Sequence, residues 1–126
     1  MTTAVSAPTE RAEQVGEGRV GTVPRVAGAA VLNPWLDRLL ARMGPFDADA
    51  CMSCGICTAT CPLGIDVLPR RVLRYAALGL GDQVTAAGDT IFSCLLCRAC
   101  EVSCPAGVHI TEDIRLLRRW LLQEGW

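Results

Sequence analysis

The sequence predicts an all-α domain organised around two cysteine-rich turns. Three observations lead there. Apolar residues recur at helical spacing in three separate segments, while clear period-two alternation is scarce. Eight cysteines fall into two runs of the same spacing. The segment joining those runs has the length and periodicity of a helical connection.

Residues 1–30 carry Gly, Ala, Val, Thr and Glu without a period, and read as an N-terminal tail that is mobile or laid on a partner. Within them, Gly16-Glu17-Gly18-Arg19-Val20-Gly21 spells GxGxxG. No strand precedes it and Pro24 sits where a helix should begin, so it reads as coincidence and not as a dinucleotide loop. Residues 31–126 form the domain, led by an amphipathic helix. Asn33 suits an N-cap and Pro34 a first helical position, so this helix is expected from Pro34 to Met43. Trp35, Leu36, Leu39, Leu40 and Met43 form its apolar face, and Gly44-Pro45 stops it.

The two runs follow. CMSCGICTATCPLGIDV spans Cys51 to Val67, and CLLCRACEVSCPAGVHI spans Cys94 to Ile110. The four cysteines, the proline, one glycine (Gly64, Gly107) and a closing apolar residue match at a constant offset, which indicates an internal duplication. Between them, Val72, Leu73, Ala76, Ala77 and Leu80 predict a helix over Leu68 to Leu80, with Arg70, Arg71 and Arg74 on another face. That arginine face reads either as a solvated surface or as a dock for an acidic partner. Gly79 and Gly81 break this helix, and Asp82 suits the cap of a short one ending near Gly88. Thr111 is the expected N-cap of the last helix, with Glu112 and Asp113 at its positive end and Ile114, Leu117 and Leu121 as its core stripe.

Composition narrows the chemistry. Half of the residues are hydrophobic (51%) but only 5% are aromatic, so large core-filling side chains are few. A core this thin is expected to lean on metal for stability. All 12 basic side chains are Arg, which excludes a catalytic or Schiff-base Lys and a phosphate-binding P-loop Lys. A formal net charge of −1 offers neither a nucleic-acid footprint nor a polybasic membrane patch. Met1 to Gln14 show no cationic stretch followed by an apolar one, so no secretory signal and a cytoplasmic, reducing setting are expected. No segment reads as a membrane span.

Each run is C-x2-C-x2-C-x3-C-P: Cys51, Cys54, Cys57, Cys61-Pro62, then Cys94, Cys97, Cys100, Cys104-Pro105. Two four-cysteine zinc sites normally show C-x2-C pairs separated by a long spacer, and here each set is crowded. A disulfide framework needs an oxidising compartment. A dithiol redox site lacks its βαβ setting. The doubled run is that of bacterial two-cluster iron–sulfur proteins, in which the fourth cysteine binds the other cluster. By that pattern one cluster takes Cys51, Cys54, Cys57 and Cys104, and the other takes Cys94, Cys97, Cys100 and Cys61.

The helical connection between the runs resembles the α-helical ferredoxin fold of succinate dehydrogenase and fumarate reductase iron–sulfur subunits. More narrowly, CMSCGICTATCP, Pro69-Arg70-Arg71, Leu78-Gly79-Leu80 and the continuation AGVHITEDIRLLRRW look like the two-cluster iron–sulfur subunit of heterodisulfide reductase. The likeness covers roughly residues 47–122. It implies two 4Fe–4S clusters, no substrate site and no catalytic residue. It also implies a relay within a hetero-oligomeric complex, from a flavin-bearing partner to a disulfide-reducing partner. Glycolate, lactate and glycerol-phosphate oxidoreductase subunits carry related double motifs. The alternative is therefore an iron–sulfur subunit of a flavin-dependent hydroxy-acid or succinate/fumarate-type dehydrogenase.

Other residues stand out. His109 holds in the second run the place of Asp66 in the first, and reads as a hydrogen-bonding or solvent-facing residue near the cluster ahead of a ligand. Arg98, inside the second run, is either a charge raising that cluster's potential or a docking residue. Tyr75, Trp120 and Trp126 read as packing or interface residues.

Overall fold

The computed structural model describes residues 30–64 and 69–125. Among them the secondary structure is entirely helical: α1 (Leu36–Met43), a 3-10 turn (Ala48–Ala50), α2 (Ile56–Thr60), α3 (Arg70–Ala77), α4 (Gly81–Ala86), α5 (Gly88–Ser93), α6 (Ala99–Val102) and α7 (Ile110–Gln123). The expected tail with its GxGxxG, the stretch that includes Asp66 and Leu68, and Trp126 lie outside the described residues.

The helix α7 is the spine. Its buried stripe, Ile110, Ile114, Leu117 and Leu121, recurs at the spacing that places side chains on one face. That stripe meets Leu36 and Leu40 of α1, Val72 and Leu73 of α3, Val84 of α4 and Ile91 of α5 in one apolar cluster. Trp120 is buried as well and packs over Gly81, so the packing role expected for it holds. Tyr75 is half-buried beside the same core, its hydroxyl accepting a 2.8 Å hydrogen bond from Arg71.

Local chemistry explains where the helices stop. Gly44 receives the end of α1, its N–H bonding Leu40 O at 3.2 Å. α3 closes with two bonds, Gly79 N–H to Ala76 O and Leu80 N–H to Tyr75 O, and Gly79 takes φ +73°. This pairing satisfies the last carbonyls and calls for a left-handed residue. A side chain at Gly79 would also stand 2.3 Å from the Asn33 carbonyl oxygen. That close approach lets Asn33 N–H reach Gly79 O at 2.7 Å and ties the lead-in of α1 to the end of α3.

Several expected boundaries move. α1 begins at Leu36, because Pro34 and Trp35 form a turn first; the Asn33 side chain still accepts the Trp35 N–H at 3.1 Å. Trp35 and Leu39 are exposed, so the buried face of α1 is narrower than its apolar pattern. The linker helix is shorter than Leu68 to Leu80, since Pro69 stands as its N-cap residue and Leu78 as its C-cap. Asp82 lies within α4, which starts at Gly81, and a separate α5 leads into the second cysteine run. Thr111 lies inside α7, whose N-cap residue is His109.

Candidate functional site

The duplication seen in the sequence is executed in the backbone. In the first run Ser53 and Gly55 adopt positive φ (57° and 83°); at the same positions of the second run, Leu96 and Arg98 do so (55° and 65°). These left-handed residues curl the chain so that the first three cysteines of a run face inward along one turn. Each turn places a backbone N–H on its first sulfur, Ser53 on Cys51 Sγ at 3.4 Å and Leu96 on Cys94 Sγ at 3.5 Å. A short helix then carries the third cysteine, α2 for Cys57 and α6 for Cys100. Each has a hydroxyl bonded four residues back, Thr60 to Ile56 O and Ser103 to Ala99 O.

Two clefts result. Cys51, Cys54 and Cys57 line the first together with Cys104, Pro105 and Arg70, over a floor that includes Leu73 and Val108. Cys94, Cys97 and Cys100 line the second together with Cys61, Pro62 and Leu63, and Ile114 lies behind them. The fourth cysteine of each run thus lines the cleft of the other run. α2 packs on α6, and Cys57 and Cys100 are close enough for the charge of one thiolate to disfavour that of the other.

All eight cysteines are free thiols. Burial pushes the Cys57 thiol up and raises Cys100 to about 11. Thiols held protonated at neutral pH must lose protons to bind metal, so loading of these clefts releases protons and is favoured by alkaline conditions.

Hydrogen bonds from outside the runs hold the turns in place. Arg118 of α7 donates from Nε and Nη2 to Ile91 O at 3.1 and 3.0 Å, and onward to the carbonyls of Phe92 and Cys94. One half-buried guanidinium therefore fixes the end of α5 and the start of the second run. Glu101 of α6 accepts the hydroxyl and the N–H of Thr111, and a 2.9 Å bond from Arg98. The Thr111 bond first, then Arg98, hold its carboxyl down to about 2.

Ahead of the first run, the Asp47 N–H bonds Asp113 Oδ1 at 3.2 Å, and the Asp47 carboxylate accepts the His109 N–H at 3.1 Å. His109 Nδ1 lies 2.7 Å from Asp47 Oδ2, which raises the imidazole pKa above its ordinary value. The ring is thus a hydrogen-bonding group beside the site. Asp47, Glu101, Asp113 and Arg118 carry no motif signal; helical phase places Asp113 and Arg118 near the core face of α7, but their partners lie 24 to 66 residues away.

The donor set suits 4Fe–4S clusters. Each cleft offers four thiols from two chain segments, mostly apolar walls and an N–H on a sulfur, a known lever on cluster potential. Among the described residues no three Cys, His, Asp or Glu side chains gather closely enough for a single metal ion. A zinc site needs four sulfurs about 2.3 Å from one ion, whereas a cubane presents a separate iron to each thiol.

Residues 47–108 match the family model of the 4Fe–4S dicluster domain. No curated protein matches the sequence. The domain is accordingly all-α and ferredoxin-like, with an iron–sulfur electron-transfer role. No helix among the described residues is long and apolar enough to cross a membrane.

Proposed function

We propose that this 4Fe–4S ferredoxin-like chain is the electron-relay subunit of a heterodisulfide reductase-like complex in the cytoplasm. It takes electrons from a flavin-bearing partner and passes them to a disulfide-reducing one, without nucleic acid and without a membrane span. Two 4Fe–4S clusters are held, the first by Cys51, Cys54, Cys57 and Cys104 and the second by Cys94, Cys97, Cys100 and Cys61. The observation that carries this reading is the exchange of the fourth cysteines between two adjoining clefts.

A 4Fe–4S cluster supplies reversible one-electron storage when bound. The chain's own residues do the rest. The paired left-handed turns orient three thiols of each run, and the Cys-Pro steps send the fourth across. The packing of α2 on α6 keeps the clefts side by side, as a relay requires. Exposed Cys54 and Cys97 leave a side of each cleft open to a partner.

Anaerobic purification of the native complex, followed by identification of its components, tests the assignment. Co-purification of a flavoprotein with a disulfide-reducing protein agrees with it. Recovery with a hydroxy-acid or succinate-oxidising flavoprotein alone contradicts it. The purified chain by itself is expected to reduce no disulfide.

A further inference from the structure

The duplication leaves the two cysteine runs in unequal electrostatic settings. In the first run Gly55 has no side chain, and a Cβ built there would stand 3.1 Å from Nη1 of Arg70. Arg70 opens α3, is half-buried and lines the cleft of Cys51, Cys54 and Cys57. Among the described residues no carboxylate pairs with it. In the second run the place of Gly55 is taken by Arg98, held left-handed at φ +65°. Its guanidinium turns outward to Glu101 at 2.9 Å with 68% of the side chain exposed. Arg118 lies behind the second run with its guanidinium bound to the carbonyls of Ile91, Phe92 and Cys94, and neither it nor any other arginine lines the second cleft.

We propose that Arg70 sets the reduction potential of the first cluster above that of the second, so that a single electron on the chain rests at the first. The inference builds on the two-cluster reading above. Reduction adds one negative charge to a cluster, and a fixed cation beside it favours that state; local charge and solvent exposure are established levers. In a partly buried cleft the attraction is weakly screened, whereas an exposed, paired guanidinium contributes little. Passage of one electron from the second site to the first oxidises one centre and reduces the other by one electron, with no proton moved. The sequence pattern puts Arg70 on one face with Arg71 and Arg74, and offers Arg98 as the potential-raising charge. The structure turns Arg70 toward the cysteines and spends Arg98 on Glu101.

The test is an anaerobic redox titration of the holoprotein followed by electron paramagnetic resonance. Cys54→Ser and Cys97→Ser assign the two signals, and iron content confirms loading. Loss of loading in the wild type would sink the two-cluster reading itself and is thereby distinguishable. In loaded protein, Arg70→Gln is expected to lower the midpoint of the first cluster and leave the second in place. Arg70→Lys restores most of the shift, and Arg98→Gln moves neither midpoint. An unchanged first midpoint in Arg70→Gln, or an equal fall of both, overturns the proposal. If Arg70→Gln fails to load, the wild-type titration decides: the first cluster must be reduced at the higher potential, and the reverse order refutes the assignment.

Discussion

Asp113→Asn isolates the cost of a buried carboxyl at the foot of the site. Asp113 is fully buried on α7; Oδ1 accepts the Asp47 N–H, and Oδ2 has no partner among the described residues. Burial raises its pKa from 3.8 to about 7. The raised value means that the folded protein holds this proton more tightly than the unfolded chain. Its contribution to stability is therefore complete below about pH 4, declines as pH rises, and is gone above about pH 7. At about 1.4 kcal/mol per pH unit, the rise from 3.8 to about 7 sets a ceiling of about 4 kcal/mol. Asparagine keeps the acceptor for Asp47 and carries no charge. Its amide N–H2 lacks a partner much as the carboxyl O–H does, so that cost of about 1–3 kcal/mol is shared near pH 5. Thermal unfolding of loaded protein, wild type against Asp113→Asn, reads the difference from pH 5 to pH 8. Near pH 5 the unfolded carboxyl is already ionised while the folded one keeps its proton, so the variant should lead by roughly 1–2 kcal/mol. By pH 8 that lead should widen to about 4 kcal/mol, and even 1 kcal/mol moves the midpoint by about 4–8 °C in a domain of this size. Parallel curves across that range would show that Asp113 is not the group titrating, and would remove the burial argument.

Further outcomes follow from the cleft geometry. Cys61→Ser should abolish the same paramagnetic signal as Cys97→Ser and spare the signal lost in Cys54→Ser; a shared effect of Cys61 and Cys54 with the second cluster intact would mean local ligation. Arg118→Gln removes charge-assisted bonds to the carbonyls around Cys94, at a cost of about 2 kcal/mol, and should shorten the lifetime of the second cluster in air ahead of the first. Equal lifetimes would deny Arg118 that local role. Anaerobic chelation of iron should abolish cooperative unfolding, because each cleft draws on both cysteine runs and the apolar core is thin; an unchanged helical melt in the stripped chain would contradict it.

What was readable in the sequence is what local rules govern. The constant offset between the runs reappears as matching left-handed turns, because spacing and backbone curl are properties of a short segment. The stripe Ile114, Leu117 and Leu121 is buried as its period demands. Trp35 and Leu39 mark the limit of periodicity, since an apolar face is buried only as far as neighbours reach it, and here Leu36 and Leu40 take the contact. Thr111 shows the same limit at a helix start: its hydroxyl is drawn into a bond with Glu101, and the N-cap of α7 falls two residues earlier, at His109. Arg70 and Arg118 were the least legible, because an arginine on a helix declares its purpose only through tertiary partners. Arg70 reaches the cleft over Gly55, and Arg118 reaches carbonyls on α5. The cysteine pattern proposes a ligand set; these supports come from elements distant in the chain.

The proposed relay stands or falls with a four-iron cluster in each of the two clefts. Iron, zinc and acid-labile sulfide analysis of the anaerobically purified chain decides between these outcomes. About eight iron and eight sulfide per chain are expected, with negligible zinc. Stoichiometric zinc without sulfide, or iron that saturates near four per chain with both cysteine runs intact, would contradict it.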